Sequence, residues 1–220
     1  MKYIDELCER RNYLLPIKKD IEKALEILIN CYKKGNKVLI CGNGGSAADS
    51  AHITGELMKK FMKDRSVDEK TLNSLKKVID EFTAKNNCNH GPKKFDEMKM
   101  ILEQGLPAID LTSQVALNTA FINDKNADYM YANEVLGLGK EGDTLIAIST
   151  SGTAKDIVNA SLVAKAKGLN IIAFTGSDGG KLKHIGDATI IAPGKTTYLI
   201  QEEHIAIYHA ICLDLEDALF

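Results

Sequence analysis

Three histidines, a glutamate and a glutamine stand where proton transfer could be done. His52 and Glu56 are four residues apart, so a helix would place them on one face, one turn apart. Gln201, His204 and His209 punctuate an apolar segment near the end of the chain. An imidazole and a carboxylate within reach of each other are equipment for general acid–base catalysis. Imidazole nitrogens with carboxylate and amide oxygens are equally a donor set that suits zinc. Spacing leaves both readings open. It also leaves open whether His204 or His209 faces the site, because residues five apart point different ways.

Two loops could hold an anion beside these groups. Gly42, Asn43, Gly44, Gly45 and Ser46 form a glycine-rich turn that leads into a helical segment. Backbone N–H groups in such a turn approach a phosphate closely, and a helix N-terminus adds unpaired donors and partial positive charge. Ser149, Thr150, Ser151 and Gly152 form a second, hydroxyl-rich turn before another helix. Neither matches the dinucleotide or P-loop patterns. Two such loops at equivalent positions predict one phosphate site.

The elements that must position these loops alternate along the chain. Helical spacing covers residues 17–35, 47–62, 153–167 and 197–219. Short apolar runs at 37–41, 107–111, 144–148, 170–174 and 188–191 read as buried strands. Strands alternating with helices predict an α/β protein: a three-layer α/β/α sandwich with a five-stranded parallel sheet. Residues 63–106 break the alternation. They are charged and helix-prone, with a break at 86–92, and read as a two-helix insertion in a single domain spanning 1–220. Such an insertion either packs on a sheet edge or caps a cleft.

The chain as a whole sets bounds. It has 220 residues, a formal charge of −2 and 45% hydrophobic residues, which fits an ordinary globular protein. The charge balance offers nothing to nucleic acid or an anionic membrane. No apolar run has membrane-spanning length. The first residues lack signal-peptide character, so a cytoplasmic protein is expected. Cys8, Cys31, Cys41, Cys88 and Cys212 are scattered without metal-site or disulfide spacing and read as free thiols.

Taken in order, these strings resemble a known family. The glycine turn at 42–46, His52 with Glu56, Asn123 with Asp124, the hydroxyl turn at 149–152, and Gln201 with His204 and His209 resemble the sugar isomerase (SIS) domain. Within it they resemble the phosphoheptose isomerases, which interconvert sedoheptulose 7-phosphate and D-glycero-D-manno-heptose 7-phosphate. The resemblance implies that Asn43, Gly44, Gly45, Ser46, Glu56, Asn123, Asp124 and Gln201 contact substrate. It implies that Ser149, Thr150 and Ser151 bind its phosphate. It makes His52, Glu56, Gln201 and His209 zinc ligands, with Glu56 the catalytic base and His209 the acid. It further implies a homotetramer with active sites at subunit interfaces. The chain departs from the family where Ala154 replaces a hydroxyl and where Leu199 replaces an arginine. The alternative expectation is a non-enzymatic SIS domain that senses a sugar phosphate or serves a replication-initiation protein, or an isomerase of another sugar phosphate.

Overall fold

Alternation along the strands decides the architecture. The computed structural model describes residues 1–86 and 91–220. In β1 (Val38–Gly42), Val38 and Ile40 face one apolar core, while Leu39 and Cys41 face another. β3 (Thr144–Ile148) and β4 (Asn170–Thr175) repeat the pattern. Ile146, Ile148, Ile172 and Phe174 join the first core, and Leu145, Ala147, Ile171 and Ala173 the second. Strands apolar on both faces must be covered on both, which is the condition of a parallel α/β sheet. β2 (Ala108–Asp110) and β5 (Ala188–Ile191) form the edges. The order is β2-β1-β3-β4-β5, and every neighbouring pair is parallel. The expected five-stranded sandwich is the one that forms.

Helices sort to the two faces. α1 (Lys2–Arg10), α2 (Lys18–Lys33), α3 (Gly45–Met58) and α9 (Thr197–Leu219) fill the first core with Leu7, Leu25, Ile53 and Ile211, among others. α7 (Met130–Leu138) and α8 (Lys155–Ala166) cover the second with Val135 and Ile157. α3 and α9 pack on each other, which brings residues from the two ends of the sequence onto one surface.

Residues 63–106 contain the two expected helices. α4 (Glu69–Asn86) packs on α5 (Gly91–Ile101), and an antiparallel bridge between Ser66 and Glu103 closes the base of this hairpin. Val78, Phe82, Met100 and Ile101 remain exposed on it. Cys88 and the centre of the expected break, residues 87–90, lie outside the described residues. Cys8, Cys31, Cys41 and Cys212 are buried free thiols. No helix among the described residues is long and apolar enough to cross a membrane.

Candidate active site

Topology opens the crevice. The chain leaves β1 towards β2 and leaves β3 in the opposite direction, towards β4. Ligands of such sheets bind beyond the carboxyl ends of the strands at this switch point. Gly42 and Ile148 pair at those ends. The glycine turn and the hydroxyl turn that follow them form two walls of a cavity of about 310 Å³. Asn43, Gly44, Gly45 and Ser46 line one wall, and Ser149, Thr150 and Ser151 the other. Thr197 and Gln201 of α9 close it.

Among the described residues no basic side chain lines the cavity. The N-termini of α3, α8 and α9 all reach it, at Gly45, Ala154 and Thr197. None of the three carries a side-chain cap, so donors remain for a ligand. Gly44, with φ of +58°, turns the chain into α3 in a conformation that suits glycine. Gly45 matters for a different reason: a Cβ there would run into the Gln201 amide. On the opposite wall, Thr153 gives its hydroxyl to Ser151 Oγ at 3.0 Å, so it braces a cavity residue. Ala154 lines the cavity itself and offers only a methyl group.

A second cluster forms where α3 meets α9. Glu56 Oε1 lies 3.3 Å from His52 Nε2, and His209 Nε2 lies 3.4 Å from the same nitrogen. Tyr208 contacts His52 Nδ1 at 2.8 Å and Asp49 Oδ1 at 3.4 Å. Asp49 ionised can only accept. When Tyr208 donates to it, His52 gives its Nδ1 proton to the phenol oxygen and keeps a lone pair on Nε2. Burial holds Tyr208 well above its ordinary pKa, so it stays a neutral donor. Burial, reinforced by His52, holds His209 below the usual histidine value, which favours its neutral form. Phe61 packs edge-on against His209, with ring centroids 5.6 Å apart.

Part of the donor spacing matches that around a metal ion of zinc's size. Two edges of 3.3 and 3.4 Å meet at His52 Nε2. A tetrahedron with bonds of about 2.0–2.1 Å has edges of roughly 3.3 Å. Glu56 Oε2 is buried and accepts no hydrogen bond. Among the described residues no three His, Cys, Asp or Glu side chains close around one point, so the cluster is an open arrangement.

The sequence-derived residues therefore fall into three places. His52, Glu56 and His209 come together. Gln201 sits in the anion cavity with the two loops, eight residues and about 12 Å of helix before His209. Asn123 and Asp124 end α6 (Val115–Asp124), are exposed and bond each other at 2.9 Å; they line no part of this cavity. His204 is a core residue: its Nε2 meets the Thr175 carbonyl oxygen at 2.9 Å and its ring stands on Phe174. Burial keeps it neutral. Sequence reasoning missed Tyr208 and Asp49. Asp49 lies three residues before His52, on the same helical face, which was the available signal.

The sheet order is a common doubly wound one that alone assigns no function, and a family model narrows it. Residues 2–87 and 98–176 match the SIS domain, and the chain belongs to that family. Over 200 residues it is 38% identical to the phosphoheptose isomerase of Clostridium acetobutylicum, spanning 91% of this chain and 83% of that one. Identity to the phosphoheptose isomerase of Aneurinibacillus thermoaerophilus is 34%, over 91% and 82% of the two chains. The solved phosphoheptose isomerase of Neisseria gonorrhoeae superposes with a TM-score of 0.71 at 28% identity, covering 97% of this chain and 94% of that one.

Proposed function

We propose that this chain is an aldose–ketose isomerase of a sugar phosphate, converting sedoheptulose 7-phosphate to D-glycero-D-manno-heptose 7-phosphate through an enediolate. The observation that carries the reading is the pairing of a cation-free anion cavity with a His–Glu–His cluster on the shared helices α3 and α9. The relatives named above support the same sugar.

The chemistry needs one proton moved between adjacent carbons and one between adjacent oxygens. Glu56 takes the proton from carbon and returns it to the neighbouring carbon. His209 moves the proton between the sugar oxygens. Ser149, Thr150 and Ser151, with the N-terminus of α8, hold the phosphate. His52, Glu56 and His209 would hold zinc, which when bound would polarise the carbonyl and steady the sugar oxygens. Gln201, the fourth ligand that the resemblance implies, lies apart from them in the anion cavity. Substrate and product are isomers, so no proton or electron is left over.

Asn123 and Asp124 reach substrate in this reading only across an interface between copies, consistent with a homotetramer. A cytoplasmic location follows from the substrate. The deciding experiment is an NMR assay of the purified protein with sedoheptulose 7-phosphate beside pentose and hexose phosphates. Turnover of the heptose is expected. No turnover of any of them would turn the reading to a non-enzymatic binder. Elemental analysis before and after chelation measures the zinc.

A further inference from the structure

Asn43 is the first side chain beyond β1, and it lines the anion cavity. Its amide nitrogen donates to Asp156 Oδ2 at 2.8 Å. Asp156 stands in the first turn of α8, the helix that follows the hydroxyl turn. Its other oxygen accepts the Ile157 N–H at 2.9 Å. The contact thus ties the two cavity walls together from opposite sides of the switch point.

The contact also fixes which way the Asn43 amide faces. An ionised carboxylate accepts and cannot donate, so the NH2 group must turn towards Asp156. The carbonyl oxygen Oδ1 is left for the cavity, and among the described residues it takes no hydrogen bond. No ion pair to Asp156 forms among the described residues either. Lys155, beside it, reaches instead to Asp128 Oδ2 at 3.4 Å. The cavity is therefore polarised. The Asn43 side chain presents an acceptor next to a negative charge, a poor place for a phosphate oxygen. The cavity's Ser149 to Ser151 side presents hydroxyls and helix N–H groups, which suit one.

We propose that Asp156 is a positioning residue that orients Asn43 as an acceptor for a substrate hydroxyl, so that this wall recognises the polyol part of the ligand and the opposite wall its phosphate. The proposal rests on the sugar-phosphate reading above and adds to it a residue that selects the sugar.

The test is calorimetric titration of the intact protein with inorganic phosphate and with sedoheptulose 7-phosphate, using wild type, Asp156→Ala and Asp156→Asn. Asp156→Ala frees the amide to rotate and should weaken sugar phosphate about tenfold, the worth of one hydrogen bond. Inorganic phosphate should bind no more weakly, because Asp156→Ala removes a negative charge from the first turn of α8, beside the hydroxyl turn. Asp156→Asn has one oxygen for two donors, the Asn43 amide and the Ile157 N–H, and should recover only part of the loss. Thermal unfolding of each variant reports folding separately. Equal weakening of both ligands by Asp156→Ala would overturn the proposal, leaving Asp156 a support for the end of α8. Unchanged sugar-phosphate binding would overturn it too. Wild-type turnover is read independently. An inactive wild type that still shows the split between ligands refutes the isomerase and upholds Asp156. An active wild type without the split does the reverse.

Discussion

Glu56 is placed to act as a base because no backbone donor among the described residues holds either of its oxygens. Oε1 faces His52 at 3.3 Å, and Oε2, buried without a hydrogen bond, has Lys59 Nζ 3.7 Å away. Glu56→Gln keeps the shape and removes the base, so turnover should fall by at least about 10²–10⁴-fold. Circular dichroism should stay unchanged, and near-normal activity in that variant would sink the assignment. Gly45→Ala tests the other half of the site. The added methyl would push Gln201 away from the cavity wall. The expected result is a raised KM for sugar phosphate in a folded protein; an unchanged KM would mean that Gln201 is not held there. At this scale the sequence was partly legible. A separation of four brought His52 and Glu56 together on any helix. Nothing local distinguished His204 from His209, because periodicity defines faces and not which face meets the sheet. Tyr208 was hidden for a related reason: a tyrosine among Ile and Ala reads as packing, and only the α3–α9 contact turns its hydroxyl towards His52.

Elements were legible where their signals are local. The segment at 197–219 was expected as a helix and is α9. α1 was not expected, because what stabilises its start is remote. Asp214 of α9 accepts the N–H groups of Tyr3 and Ile4 at 3.1 and 2.9 Å, a cap supplied from the far end of the chain. α6 and α7 were missed because exposed apolar residues such as Val115, Ile122 and Leu136 blur their period. One remote device bears on catalysis. Arg65 is fully buried, and it bonds Glu216 Oε1 at 2.7 Å, the Leu57 carbonyl at 2.7 Å and the Glu56 carbonyl at 3.3 Å. Glu216 also accepts the N–H groups of Phe61, Met62 and Lys63, at 2.8, 2.8 and 2.9 Å. The pair therefore stops α3 just after Glu56 and docks its exit on α9, with Phe61 against His209. Those donors hold the Glu216 carboxyl below its usual range despite its burial. Arg65→Met leaves Glu216 charged and short of its strongest partner. A loss of about 3–5 kcal/mol in urea-monitored stability is expected. A loss under about 1 kcal/mol would show that the three backbone donors suffice.

For the molecule as a whole, stability should depend on pH through Glu134, a buried acid remote from the His–Glu–His cluster. It lies on α7 with both carboxylate oxygens buried and without hydrogen bonds. The groups near it are Asp110 at the end of β2, Asn118 on α6 and, one turn earlier on its own helix, Tyr131. Asp110 is already engaged by Ser50 at 2.7 Å and by the Thr112 N–H at 2.9 Å, and Asn118 gives one of its two amide N–H groups to the Leu111 carbonyl. Among the described residues no basic side chain pairs with Glu134 in an ion pair. Burial, opposed in part by the nearby Asn118 amide and reinforced by Asp110, pushes Glu134 from 4.5 up to about 7. The folded protein thus holds this proton more tightly than the unfolded chain. Below about pH 4.5 both states are protonated and the group costs nothing. As pH rises from there to about 7, the unfolded chain ionises first, and folding loses up to about 3 kcal/mol; above 7 the loss is constant. Glu134→Gln mimics the protonated acid and removes this slope. The difference in unfolding free energy between variant and wild type should grow in the variant's favour between pH 4.5 and 7 and then level off. A constant difference across that range would mean that Glu134 ionises normally in the fold. The effect should extend to ligand binding, because Tyr131 donates its hydroxyl to the Gly42 carbonyl at 2.9 Å, at the head of the glycine turn. Charging Glu134 one helical turn away strains that anchor, so inorganic phosphate affinity of the wild type should fall more steeply above pH 7 than that of Glu134→Gln.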